Sequence, residues 1–259
     1  MRLNDVAVGK KLAAAILILL VPTLVLIYFL ISEKDDLIAF TRQEVAGVHY
    51  LRALQDGFVA TTALNFDNAA ANAASSAIEK AEREDSGALS LTQTTVATVA
   101  ALKSGNAADA DTAVSGEISA ASDGSNITLD PDTDAYFVGD MLVNQAETVL
   151  QKTSDLVAAA ETLQKGKTED ALMAFAVARD ELATGAGNFS SDLAKALKGN
   201  ADGAVKANIG DAGKAVTALT DKISAAATAN DYAAVGVAAP EVVRAVSGML
   251  PKLDDEMER

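Results

Sequence analysis

The stretch Leu12 to Ile31 reads LAAAILILLVPTLVLIYFLI, twenty residues without a charge, in which only Thr23 and Tyr28 have polar side chains. A helix rises about 1.5 Å per residue, so twenty residues cover roughly 30 Å, the thickness of a bilayer's hydrocarbon core. The segment is therefore expected to be a transmembrane helix. Pro22 lies near its middle, where a soluble helix would break but a membrane span tolerates the freed carbonyl. The alternative, a cleaved signal peptide, fits less well. A signal's apolar core is about 7–15 residues and ends at small residues, whereas this one ends YFLISEKDD.

The flanks give an orientation. Arg2, Lys10 and Lys11 precede the span, and Glu33, Asp35 and Asp36 follow it with Lys34 alone among them. The excess of basic residues on the N-terminal side predicts that this side is cytoplasmic. The expected organisation is a short cytoplasmic N-terminus over 1–11, a membrane helix over 12–31 and an extracytoplasmic domain over 33–259, in a membrane crossed once by this chain.

Lys and Arg number 21 against 36 Asp and Glu, a net charge of −15. The residues before the span are net basic, so the acidic excess belongs to the outer region. Such a surface repels nucleic acid and anionic headgroups, and neither is an expected partner there. The chain has no cysteine, which excludes thiolate metal sites, disulfides and cysteine nucleophiles. Alanine abounds, aromatics are 4% and tryptophan is absent. Alanine favours helix and disfavours strand, so the fold is expected to be all-α, an up-down bundle of long helices, in one tier or two stacked.

Leu37, Phe40, Leu51, Leu54 and Phe58 recur at helical spacing, with Val45, Val48 and Val59 widening the face. They predict one amphipathic helix from Glu33 to about Asn65 that continues the membrane helix. The pattern resumes over Ala69 to Leu102. LKSGNAADAD then reads as a turn, Asp109 to Ala121 as a short helix, and SDGSN as its close. Asp130 followed by Pro131 signals a helix start, the aspartate as cap and the proline in the first turn. Val138, Leu142, Val149, Thr153, Leu156, Ala160 and Leu163 then form a seam to about Lys165. A further helix is expected over Glu169 to Leu197, with Leu172, Phe175, Val177, Leu182, Phe189 and Leu193 as core. A last helical stretch spans Ala204 to Arg259, bent near Pro240 and Pro251. About six helices and no strand are expected.

The single membrane helix, the long helix carrying EVAGVHYLRALQ (Glu44 to Gln55) and the segment SNITLDPDTDAYFVGDMLV (Ser125 to Val143) together resemble the extracytoplasmic sensing region of bacterial methyl-accepting chemotaxis receptors. Length and helix count are similar to the six-helix, two-bundle helical bimodular type. The resemblance implies a homodimer that binds a small molecule, directly or through a periplasmic binding protein, and passes a helix displacement across the membrane. Receptors of this kind carry a second membrane helix, a linker and a signalling hairpin. The charged helical pattern KLDDEMER at Lys252 to Arg259 is therefore read as preceding a second span, in a fragment of a larger receptor. The output could equally be a histidine kinase or a cyclic-dinucleotide enzyme.

Arg52 falls among Val45, Val48 and Val59, and a guanidinium binds carboxylates through a planar fork. It is expected either to contact a carboxylate ligand or to pair with Asp56, Asp130 or Asp134. Tyr50 and Arg42 are its weaker companions. His49, the one histidine, reads as a partly buried helix residue or a minor ligand contact. Asp130, Asp132 and Asp134 alternate as in a calcium loop, but Ala135 and Met141 occupy the positions where that loop needs glycine and glutamate. Capping is the better reading. Asp134 and Tyr136 remain candidates to line a pocket. No metal, cofactor or catalysis is expected, since no nucleophile–base set or phosphate-binding glycine loop occurs. The rival expectation is a membrane-anchored structural or scaffolding helical protein with no small-molecule ligand.

Overall fold

The computed structural model describes residues 8–62, 66–127 and 132–259, and among them every regular element is helical. The chain divides after Arg42 into two compact units. Helix α1 runs from Val8 to Thr62 with Pro22 inside it. In the first unit the side chains from Ile16 to Ile31 are exposed on every face. A helix that is apolar all round and uncovered by protein is of the kind that crosses membranes. Thr23 satisfies its own hydroxyl by donating to the Leu19 carbonyl at 2.8 Å, as a polar group in that setting must.

The second unit contains two bundles. The shorter one surrounds the last turns of α1 with α2 (Asn68–Leu89), α3 (Thr92–Ser104) and α4 (Ala107–Ser125). Its core is Tyr50, Leu51, Leu54, Phe58, Ile78, Leu102, Val114 and Ile118, all buried. Small residues let these helices approach closely. A Cβ on Gly47 would lie 2.0 Å from the Cβ of Ser125, so this α1–α4 crossing requires glycine.

The longer bundle begins with α5 (Thr133–Asp140), which passes through a π turn at Met141–Gln145 into α6 (Ala146–Lys165). Then come α7 (Glu169–Gly199), α8 (Ala204–Thr228) and α9 (Tyr232–Met257). Each packs on the next, and α9 closes on α6, an up-down arrangement joined by short loops. The Val138, Leu142, Val149, Thr153, Leu156, Ala160 and Leu163 seam is buried throughout. α1 lies against the end of α9 in antiparallel register: Arg52 meets Asp254 and Asp255, while Asp56 and Val59 border a cleft with Ser247 and Pro251. Thr61 and Gln151 both donate to Asp111 of α4, each at 3.4 Å, joining the bundles a second time.

Several expectations are corrected. The stretch Ala69 to Leu102 is two helices, broken where Ser90 takes φ +57°. Ala204 to Arg259 is likewise two, broken at Asn230 with φ +57°, after which the Asp231 side chain caps α9 by accepting from Ala234 N–H at 3.0 Å. Among the described residues these two breaks raise the helix number from about six to eight, counting α5 to α6 as one rod. α9 continues through both prolines. Leu172 and Val177, expected in the core, are exposed on α7, and Leu37 is exposed on α1. The short helix expected over Asp109 to Ala121 extends to Ser125, with Asn126 at φ +61° closing it.

Candidate functional site

The polar seam between α1 and α9 follows from two interruptions of apolar faces. Gln55 sits on the Leu51, Leu54 and Phe58 face of α1, and Asp254 on the Leu250, Leu253 and Met257 face of α9. Burying those faces against each other brings the two polar groups together. Gln55 Nε2 donates to Asp254 Oδ1 at 3.0 Å, and Arg52 Nε donates to Asp254 Oδ2 at 3.3 Å. Arg52 Nη2 also reaches Asp255 Oδ1 at 3.0 Å and Glu258 Oε1 at 3.2 Å, and His49 Nε2 is 3.6 Å from the same Glu258 oxygen.

Asp254 is fully buried, while 42% of the Arg52 side chain is exposed. Desolvation pushes the Asp254 carboxyl up to about 6, against the opposing pull of Arg52 and Gln55. Burial alone would lower the Arg52 pKa, but the charges of Asp254, Glu258 and Asp255 outweigh it and raise it above its ordinary value. The pairing partners expected for Arg52 are thus replaced by a trio from α9. An incoming carboxylate would meet a guanidinium already shared among three acids.

The other nominated residues do not converge on Arg52. Tyr50 is fully buried inside the short bundle. Its hydroxyl donates to Glu117 Oε1 at 2.5 Å and is hydrogen-bonded to Thr95 Oγ1. Burial holds the phenol above its ordinary pKa, and the bond to Glu117 adds to this. Glu117 is itself fully buried, and its Oε2 has no hydrogen-bond partner. His49 and Arg42 are exposed on α1. Asp134 accepts from Asn200 Nδ2 at 2.9 Å and, with Asp202, Glu256 and Arg259, borders a basin of about 330 Å³. Tyr136 is 39% exposed and meets Phe137 edge-on at 5.1 Å. Asp130 and Pro131, the expected cap and first turn, lie outside the described residues; α5 begins at Thr133 with Asp132 in the N-cap position.

In the π turn Asn144 and Gln145 donate to Asp140 at 2.7 and 2.8 Å, and Asp140 is hydrogen-bonded to Asp192, which Lys195 neutralises at 3.0 Å. Burial and the neighbouring Asp140 raise the Asp192 carboxyl above its ordinary range. Among the described residues no group of three or more His, Asp or Glu side chains is arranged to hold a metal ion.

A cleft of about 460 Å³ opens where α1, α2 and α9 meet, beside Gln55. Its volume falls in the range of small-molecule sites. Sequence reasoning missed Gln55, Asp254 and Glu117, although each left a trace as a polar residue at a position where the helical period demands an apolar one. For Glu117 that period is set by Ala110, Val114 and Ala121.

Among the described residues two helices, α1 and α9, are long and apolar enough to cross a membrane. The apolar window of α1 is wholly exposed, whereas α9 is partly buried in the bundle, with Val235, Val242, Val246 and Leu250 in its core. Comparison with family models, curated proteins and solved structures gives no match.

Proposed function

We propose that this chain is the membrane-anchored sensing module of a chemotaxis or related transmembrane signalling receptor, working as a homodimer in a bacterial inner membrane. Its N-terminus is cytoplasmic and its bundles lie outside. A small solute, or a periplasmic binding protein carrying one, biases the position of α9 against α1. The observation that supports this reading is the polar seam of Arg52, Gln55 and His49 with Asp254, Asp255 and Glu258. It couples the last helix of the long bundle to the helix that carries the apolar segment. Displacements of about 1–2 Å between packed helices are a known form of switching, and coupling of about 1–3 kcal/mol suffices for it.

The test uses the full chain in detergent micelles with a panel of organic acids, amino acids, sugars, purines and amines. A ligand at about 100 times its Kd adds about 2.7 kcal/mol, a rise of a few degrees in melting temperature for a domain of this size. The chain lacks cysteine, so spin labels on single cysteines at Arg42 and Lys252 report the α1–α9 separation without background. A solute that raises the melting temperature and shifts that separation supports the sensing role. No stabilisation by any solute, together with no captured periplasmic binding protein, would leave the scaffolding role instead.

A further inference from the structure

The cleft between α1, α2 and α9 presents hydrogen-bond acceptors and no donor charge. Gln55 is only 8% exposed and commits its amide nitrogen to Asp254, which leaves its carbonyl oxygen without a protein donor on the cleft wall. Asp56 is exposed and pairs with no Lys, Arg or His among the described residues. Asp67 Oδ1 accepts the N–H groups of Ala69 and Ala70 at 2.8 and 3.2 Å as the cap of α2, and Oδ2 remains open. The fourth acceptor comes from the backbone. Pro251 has no N–H to return to the carbonyl four residues before it, and that residue is Ser247, also on the wall. Val59, Ala74 and Leu250 supply an apolar floor.

We propose that this cleft binds a small organic cation, a protonated alkyl amine or guanidine whose N–H groups meet Gln55, Asp56, Asp67 and the Ser247 carbonyl while its aliphatic body rests on Val59 and Leu250. Charge complementarity selects the class. Two carboxylates with no neutralising side chain favour a cation, and carbonyl oxygens without a protein donor favour N–H groups. Quaternary ammonium ions lack those donors and are held by aromatic faces, and none of the described lining residues is aromatic. The proposal rests on the sensing reading only for its consequence: Gln55 belongs both to the cleft and to the α1–α9 seam, so a ligand on its carbonyl orients the amide that grips Asp254.

Isothermal titration of the full chain in detergent micelles with agmatine, 1,4-diaminobutane and isopentylamine tests the site, with choline and succinate as controls. The three amines are expected to bind and the two controls not to. D56N/D67N keeps an oxygen to cap α2 and is expected to weaken amine binding by about tenfold per carboxylate removed. A73L places a bulky side chain at an exposed position of the wall. It is expected to abolish binding with an unchanged melting temperature. Amine affinity that is the same in D56N/D67N as in the parent, or choline binding as tightly as agmatine, overturns the proposal. Binding of succinate or another solute without any amine also overturns it and leaves the sensing reading intact. Silence across every solute overturns the amine site, and the sensing reading falls with it when no periplasmic binding protein is captured either. Amine binding that D56N/D67N weakens but that leaves the α1–α9 separation unchanged upholds the site and removes only its signalling role.

Discussion

The buried carboxyl of Asp254 makes stability respond to pH in a way that can be isolated with one substitution. Its folded pKa stands at about 6 against 3.8 for an exposed aspartate. The folded state therefore holds this proton more tightly than the unfolded chain. The carboxyl's contribution to stability is fully present below pH 3.8 and is lost as pH rises through about 6. At about 1.4 kcal/mol for each pKa unit, the loss amounts to about 3 kcal/mol. Asp254→Asn keeps the shape and one oxygen that can accept from either Gln55 or Arg52, and it does not titrate. Urea unfolding of the parent and D254N in detergent micelles, followed by circular dichroism from pH 4 to 7.5, should give two curves that diverge. D254N should gain on the parent by about 2.5 kcal/mol across that range, most steeply between pH 4 and 6. Groups remote from the seam titrate alike in both proteins, so the difference reports Asp254 with the acids that share Arg52. A difference that stays constant within about 0.5 kcal/mol would refute the argument, because it would mean that Asp254 titrates alike in the folded and unfolded states.

Arg52→Ala removes the main counter-charge of Asp254. It should cost about 2 kcal/mol at pH 7.5, less than for a fully buried pair because the guanidinium is partly exposed, and under about 1 kcal/mol at pH 5. Equal losses at the two values, from the same unfolding curves, would show that Arg52 acts through packing. Tyr50→Phe leaves Glu117 with neither carboxylate oxygen bonded, at an expected cost of about 3 kcal/mol, and Y50F/E117L should recover much of it. A double variant no more stable than Y50F would contradict that account. Gly47→Ala forces a Cβ against Ser125 and should destabilise by about 2 kcal/mol or more, with G47A/S125G restoring most of the loss in thermal melts. A tolerated G47A would mean that α1 and α4 do not approach as described.

Much of the helical layout was legible because its signals are local. The Gly105–Asn106 pair ends α3 and starts α4 through its own geometry, with Gly105 at φ +77° and the Asn106 side chain accepting from Ala108 and Asp109 N–H. The seam from Val138 to Leu163 needs only the 3.6-residue period to be read. The breaks at Ser90 and Asn230 were not visible, since neither serine nor asparagine demands a left-handed conformation and the flanking residues are good helix formers. Leu172 and Val177 look like core by hydrophobicity, yet both are exposed, Val177 on the rim of an open groove beside α6. Alanine-rich helices carry little information about which face turns inward, because both faces are small and weakly apolar.

By itself the sequence determined an uncharged apolar run long enough to cross a bilayer, an all-helical chain beyond it, and most of the turns. All of these depend on length, propensity and the chemistry of neighbouring residues. Only the tertiary structure decided what Arg52 does. Its partner Asp254 lies 202 residues along the chain, and three acids within one turn of α9 claim a guanidinium that sequence reasoning offered to a ligand. The acceptor-lined cleft likewise exists only where three helices converge, one of them α9, whose proline withholds an N–H from the Ser247 carbonyl. Local propensity fixes the rods. Which polar groups face each other across them depends on close packing between distant segments, and no local pattern encodes that.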